Sequence, residues 1–129
     1  MATPKIGWPY SLAKRNKAYA VVYADAQNAM IISRGGRIAA DALTRNDAGD
    51  YTIAINPPLQ NDGASIVVAL TQKPGQTPLM GTISAALAVT RDAVNVITTD
   101  GADPADRHFT IWIAEALISE QIAAWPNPV

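Results

Sequence analysis

The side chains with the most capacity for chemistry lie close together near the end of the chain: Asp100, Asp103, Asp106, His108 and Trp112. Carboxylates are ligands that Ca²⁺ prefers, but this spacing lacks the ligand positions and closing Glu of an EF-hand loop. An aromatic ring also presents a flat apolar surface that can stack on a sugar. The segment therefore predicts either a loop that binds a cation or glycan, or a solvated loop followed by a histidine on the polar face of a strand.

Most catalytic and metal-binding arrangements are excluded by what the sequence lacks. The 129 residues include no cysteine and a single histidine. Disulfides, thiol nucleophiles, cysteine-ligated zinc and a multi-histidine site within one chain are ruled out, although several subunits could bring their copies of His108 together. No serine lies in a Gly-x-Ser-x-Gly motif, and no carboxylate pair is distinguished as an acid–base pair. We expect neither enzymatic activity nor a cofactor.

A second candidate is the pair of glycines flanked by Arg34 and Arg37. Glycine backbone allows close approach of a phosphate or carboxylate, and the guanidinium groups could pair with it. The same glycines can adopt the positive φ of a tight β-hairpin. The hairpin explains the motif equally well, so it assigns no anion site.

Residues 1–16 are predicted to form an extended arm. Prolines and a glycine interrupt regular strand pairing there, yet apolar residues alternate along the segment. Such an arm requires a groove, which could lie on its own body, on a neighbouring subunit or on another protein. The arm residues assigned to partner binding are Lys5, Ile6, Trp8, Tyr10, Leu12, Lys14 and Arg15.

Charge is unevenly distributed along the chain. The net charge of −1 argues against a general nucleic-acid binder. Residues 1–24, however, contain basic side chains and no acidic one. This distribution favours docking of the arm onto an acidic surface, with a solvated terminus as the alternative.

Composition indicates one globular domain. An apolar fraction of 49% with only 16% charged residues argues against global disorder. The longest apolar run is much shorter than a membrane span, and the N-terminus lacks the apolar core of a signal peptide. We expect no membrane contact and synthesis in the cytosol.

Alternation of apolar and polar residues predicts an all-β fold. It is clearest in 49–56 and 107–114, which we expect to supply much of one core wall. Short strands recur about every ten residues with turn signals between them, which is typical of an antiparallel β-sandwich, jelly roll or barrel. The other predicted strands are 18–24, 29–33, 38–44, 64–71 with both faces buried, 79–89, for which a helix is the alternative, and 94–98.

After residue 114 the apolar period becomes helical. Leu117, Ile118, Ile122 and Trp125 favour a short amphipathic helix that ends before Pro126. We assign Trp125, like the arm, to partner binding. The predicted organisation is an arm over 1–16, a β-sandwich domain over 17–114, and a short helix and tail over 115–129.

Three of these segments carry a resemblance to a known group. They read Gly-Asp-Tyr-Thr-Ile-Ala-Ile over 49–55, Ile-Val-Val-Ala-Leu over 66–70 and Asp-Arg-His-Phe-Thr-Ile-Trp-Ile over 106–113. The pattern resembles the trimeric β-sandwich modules of bacteriophage fibre tips, with a tumour-necrosis-factor-like or complement-head-like jelly roll. The likeness covers residues 37–114. The chain departs from that group in having a short arm instead of a long shaft, and a helix and tail after the last strand.

The resemblance implies a non-enzymatic virion structural protein that forms a homotrimer. A small domain with two arms is more similar to a capsid decoration or cement protein, or a short head fibre, than to a long-fibre tip. Its partners would be copies of itself and the major capsid protein or another virion protein, and it would be located in the virion after synthesis in the bacterial host cytoplasm. The alternative is a carbohydrate- or receptor-binding tail-fibre tip that uses the loop aromatics and residues 100–106.

Overall fold

Eight β-strands form the body of the protein. The computed structural model describes residues 17–25, 28–60 and 65–114. One sheet, called sheet A, contains β1, β2, β5 and β8, and the other four strands form sheet B. The strands are β1 Lys17–Asp25, β2 Asn28–Gly36, β3 Leu43–Asp47, β4 Asp50–Ala54, β5 Ser65–Leu70, β6 Thr82–Leu87, β7 Ala93–Thr99 and β8 Phe109–Ala114.

Both sheets are antiparallel throughout. The strand order is β2-β1-β8-β5 in sheet A and β3-β4-β7-β6 in sheet B. The chain passes from one sheet to the other after β2, β4, β5 and β7. The predicted all-β class and antiparallel sandwich are confirmed. Within the described ranges no helix is long and apolar enough to cross a membrane.

The two sheets bury their inner faces against each other. In β8 the inner residues are Phe109, Ile111 and Ile113, all fully buried, while the facing strand β4 contributes Tyr51 and Ile53. The rings of Tyr51 and Phe109 meet across the core with centroids 5.3 Å apart. The expectation that 49–56 and 107–114 share one core wall is therefore wrong, since these strands lie in opposite sheets.

The predicted strand 38–44 is largely wrong. The chain leaves sheet A after Gly36 and turns, with the N–H of Ala42 donating to the carbonyl of Ala39 at 3.2 Å, before β3 begins at Leu43. Ile38 is buried during this crossing. Its apolar character reflects core burial rather than strand pairing. β3 continues to Asp47 and β4 begins at Asp50, so the turn between them is short.

The run predicted as a strand over 64–71 is a strand, but only its inner face is partly buried. β5 is an edge strand of sheet A, and Val67 is 60% exposed on its outer side. The predicted strand over 79–89 contains β6. The predicted arm over 1–16 and the predicted helix and tail over 115–129 lie outside the described residues.

Gly49 fits the turn between β3 and β4 against β7. Its φ of +67° lies in the left-handed region that side chains disfavour. Its carbonyl accepts the N–H of Thr98 at 2.8 Å. A Cβ at this position would overlap the carbonyl oxygen of Thr98 and lie 2.7 Å from the nitrogen of Ala105. Backbone conformation and packing therefore both require glycine here.

We expect Gly49→Ala to destabilise the protein more than Gly75→Ala does. Both glycines have positive φ, +67° and +85°, so either substitution costs about 1–2 kcal/mol through left-handed backbone. Only Gly49 is crowded, because a Cβ at Gly75 would meet nothing within 4 Å. Overpacking should cost Gly49→Ala about 1–3 kcal/mol more. Urea unfolding of both variants measures the difference, and equal losses would contradict the steric account.

Candidate docking surface

The structure separates the residues predicted to form one ligand loop. Asp100 and Asp103 are exposed on the connection between β7 and β8, whereas Asp106 and His108 are turned into the body. Trp112 lies on the outer side of β8, where it is 40% exposed. The five do not form one site. The residues assigned to partner binding in the arm and tail lie outside the described residues: Lys5, Ile6, Trp8, Tyr10, Leu12, Lys14, Arg15 and Trp125.

Asp106 holds the connection before β8 against the β3–β4 hairpin. Its carboxylate accepts two hydrogen bonds from Arg45, from Nε at 3.1 Å and Nη2 at 2.9 Å. It also accepts the backbone N–H of Gly49 at 3.0 Å and the hydroxyl of Tyr51 at 2.5 Å. The side chain is only 9% exposed. A carboxylate with four donors in such a setting is a structural anchor.

The same contacts determine the protonation of the cluster. Burial alone would raise the pKa of Asp106, but hydrogen bonds from Arg45, Gly49 and Tyr51 outweigh it and lower the pKa to about 2. Burial and the hydrogen bond to Asp106 raise the pKa of Tyr51 well above its ordinary value, so its hydroxyl remains a donor. The folded protein therefore stabilises the ionised form of Asp106.

His108 is also part of the scaffold. Its side chain is buried, and Nδ1 accepts the backbone N–H of Ala24 at 2.9 Å. Its ring lies against Tyr23, with centroids 4.9 Å apart. Nε2 is 3.8 Å from Oδ1 of Asp25. The expected position on the solvated face of a strand is wrong, because His108 precedes β8 and closes the end of sheet A.

The carboxylate of Asp100 stabilises the backbone of its own loop. The carboxylate of Asp100 accepts the N–H groups of Ala102 at 3.0 Å and Asp103 at 2.9 Å. These hydrogen bonds, that from Asp103 first, lower the pKa of Asp100. In the part of the chain that the structure describes, no three His, Asp or Glu side chains are grouped to hold a metal ion.

The glycines between Arg34 and Arg37 do not form a tight hairpin. Gly35 and Gly36 end strand β2, and Arg37 is buried, with Nη1 donating to the carbonyls of Pro57 at 3.2 Å and Pro58 at 2.6 Å. A Cβ at Gly35 would overlap the ring of Tyr19. The glycine thus makes room for an aromatic side chain, and the motif has a packing role.

The outer face of sheet A is the most distinctive surface of the described body. We define it by three rows of side chains that run across the strands, and none of its members is charged. The Tyr19 row crosses all four strands, the Val21 row does the same, and the Tyr23 row covers β2 and β1. The Tyr19 row consists of Gly35, Tyr19, Trp112 and Val67. The Val21 row consists of Ser33, Val21, Thr110 and Ala69, and the Tyr23 row consists of Met30 and Tyr23.

An aromatic pair lies in the first row of this face. The rings of Tyr19 and Trp112 are stacked, with centroids 5.4 Å apart and planes at 22°. Val67 beside them and Met30 in the last row are 60% and 61% exposed. Charged side chains begin beyond the Tyr23 row, where Lys73 Nζ lies 5.4 Å from the Tyr23 ring centroid. A contiguous apolar surface of this kind is typical of an interaction site.

The outer face of sheet B is chemically different. Asn46 donates to Asp50 at 3.2 Å and to Thr52 at 2.8 Å, and Asn95 donates to Asp50 at 2.8 Å. These polar side chains pair with one another across β3, β4 and β7. Sheet B therefore has an outer face suited to water, whereas sheet A does not.

Both terminal segments begin at one end of sheet A. Lys17 and Ala114 are register partners in the β1–β8 pair, and Ala114 is also the partner of Ser65 in β5. β1 and β8 are the two central strands of the sheet. The chain before residue 17 and the chain after residue 114 therefore leave the body side by side.

Sequence reasoning missed the outer face of sheet A. The continuous apolar run over 66–70 contains the signal for this face, but such a run also predicts a strand buried on both faces. A strand that is apolar on both faces and lies at a sheet edge instead indicates an uncovered surface. The order of strands, which distinguishes the two cases, has no local signature in the sequence.

The pKa of Asp106 predicts how stability depends on pH. Because the folded-state pKa of about 2 lies below the ordinary 3.8, its contribution is complete only above about pH 5 and is lost as the pH falls through 3.8 towards 2. That contribution is about 2 kcal/mol. Asp106→Asn should therefore lower the free energy of unfolding at pH 7 by at least that amount, and the gap to the unmodified protein should narrow in acid.

Denaturant unfolding at a series of pH values measures this gap. Asp103→Asn is the matched control, since this residue lies exposed on the same loop and should leave both stability and its pH dependence nearly unchanged. A constant gap between pH 7 and pH 2 would contradict the assignment of Asp106 as an ionised anchor.

Comparisons with known proteins assign no family. No family model matches the chain, and searches of characterised proteins and of solved structures likewise found no match. The arguments for function therefore come from the geometry of the two sheets and from the terminal segments.

Proposed function

We propose that the chain is a non-enzymatic bacteriophage virion structural protein. It is a homotrimeric capsid decoration or cement protein, or a short head fibre, that docks through its terminal arms. The sandwich body is the exposed part, and the residues outside it make the attachment. The partners are other copies of the chain and the major capsid protein or another virion protein.

The observation that carries this proposal is the pairing of Lys17 with Ala114. Because these residues are register partners, the arm over 1–16 and the tail over 115–129 start next to each other. Two segments that leave a rigid body at one point can contact one partner surface together, which raises their combined affinity above that of either segment. A body attached at one end and free at the other suits a decoration protein.

The distribution of charge supports the direction of docking. Residues 1–24 are basic without an acidic residue, whereas all acidic residues of the chain follow from Asp25 onward. A basic arm is attracted to an acidic partner surface. The aromatic residue of the tail, Trp125, is of the type that anchors protein interfaces.

The uncharged outer face of sheet A supports self-association. Contact between copies at this face, including contact made by the arm of a neighbouring copy, would bury no unpaired charge, whose removal from water is costly. The polar face of sheet B would then remain outward in the assembly. This division of the two sheets is consistent with a homotrimer.

The alternative is a carbohydrate- or receptor-binding fibre-tip module. The observation that favours it is the exposed Tyr19–Trp112 stack, which offers a flat aromatic surface to a sugar ring. Binding on a glycan array that is lost in Trp112→Ala and retained in Trp125→Ala would favour this function. An array without binding would leave the docking function as the better account.

Removal of residues 1–16 should abolish binding to the shell while leaving the body folded. The assay uses capsids, lacking this chain, of the phage or prophage that encodes it, and measures co-sedimentation. The body should retain its cooperative unfolding because all eight strands lie within 17–114. Full binding by the shortened chain would contradict docking through the arm.

A matched variant separates charge from apolar contact in the same assay. Lys5→Gln, Lys14→Gln and Arg15→Gln together remove the arm's positive charge and keep its aromatic residues. If the shell surface is acidic, this variant should bind to the shell more weakly than the unmodified chain does. Binding of the unmodified chain should also weaken as salt is added. Binding that is insensitive to both would contradict the electrostatic part of the proposal.

A further inference from the structure

The outer face of sheet A presents apolar side chains that the described body leaves partly exposed. Its three rows hold Tyr19, Val21, Tyr23, Trp112 and Val67 without a single charged member. Val67 and Met30 are more than half exposed, and Ile32, at the irregular register between Val21 and Val22, is 44% exposed. Covering this face would remove apolar area from water at no cost in buried charge.

The N-terminal arm matches this face in charge. The segment over 6–12 reads Ile-Gly-Trp-Pro-Tyr-Ser-Leu and contains no charged residue, while the flanking positions Lys5, Lys14 and Arg15 are basic. The uncharged length of the arm thus corresponds to the uncharged rows of the sheet. The C-terminal segment is a poorer match because it contains Glu115 and Glu120.

The arm also matches the face in dimension. In extended chain, Ile6, Trp8, Tyr10 and Leu12 project on one side, and this apolar row spans about 20 Å. The length of the face along β8, measured from His108 to Ala114, is also about 20 Å. The apolar side chains of the arm can therefore cover the face from one end to the other.

The point of attachment favours the arm over a foreign partner. The arm joins the body at Lys17, beside Ala114 at one end of the face. Leu12 can be no farther than about 17 Å from that end, since five residues of chain connect it to Lys17. A tether this short maintains a high effective concentration of the arm at the face.

We propose that the apolar row of residues 6–12 binds to the outer face of sheet A. The row packs face-on, because Pro4 and Pro9 interrupt the backbone pairing that edge addition would require. The basic flanks and the C-terminal tail remain available to another partner. This inference needs no virion role, and it can be tested on the purified chain alone.

The absence of cysteine from the chain makes site-specific crosslinking a direct test. Ser11→Cys labels the arm, and Ala69→Cys labels the outer side of edge strand β5. Ala86→Cys is the matched control, because it is also an exposed alanine on the outer side of an edge strand, β6 of sheet B. Full-length protein with Ser11→Cys and either alanine variant is treated with a short bismaleimide.

We expect the yield of crosslinked product from Ser11→Cys to be about tenfold or more higher with Ala69→Cys than with Ala86→Cys, because a bound arm has a high effective concentration at sheet A. Either an intrachain or an interchain product supports the arm on sheet A, and its mass shows which copy supplies the arm. An interchain product also links neighbouring copies, as the proposed homotrimer needs. Equal yields at Ala69→Cys and Ala86→Cys, or efficient crosslinking to Ala69→Cys only from Ser119→Cys in the C-terminal segment, would overturn the proposal.

A charge placed on the face provides an independent check that leaves the core intact. Val67→Lys puts an ammonium among the apolar rows and should reduce the Ser11→Cys to Ala69→Cys yield severalfold. Ser84→Lys, on the outer side of β6, should leave the yield unchanged. Unaltered crosslinking in Val67→Lys would count against apolar packing of the arm, whether or not the protein binds to capsids.

Discussion

The structure depends on the ionised carboxylate of Asp106 and its four donors. Asp106 precedes β8, and Arg45, Gly49 and Tyr51 belong to β3, the β3–β4 turn and β4. These bonds tie the chain entering sheet A to the hairpin of sheet B. Because β8 is central in sheet A and pairs with both β1 and β5, the same anchor positions the outer face and the end from which the terminal segments leave.

The two sheets share one core but differ in their outer surfaces. Sheet B satisfies its outer polar side chains with one another, as in the contacts of Asp50 with Asn46 and Asn95. Sheet A presents the Tyr19–Trp112 stack and apolar neighbours. This asymmetry supports a body with one face for water and one for protein contacts. Self-association would then occur at the outer face of sheet A, and docking would occur at the end of the sheet from which the terminal segments leave the body.

Local alternation was sufficient to predict most of the strands. The inner residues Tyr51, Ile53, Phe109, Ile111 and Ile113 follow period two and are buried as the pattern requires. The pattern failed at Ile38, because burial of a crossing segment has the same apolar signature as a strand. The roles of Asp106 and Arg45 could not be predicted, since they are 61 residues apart and meet only through sheet order. The apolar outer face that sheet A exposes within the described residues was missed for the same reason.

If a phage or prophage encodes the chain, as proposed, electron cryo-microscopy of its particles tests the central claim most directly. The account predicts density for three copies of the sandwich at the particle surface, with the end that carries Lys17 and Ala114 directed towards the particle. Particles without such density, or with this end directed into solvent, would contradict a virion protein that docks through its terminal arms.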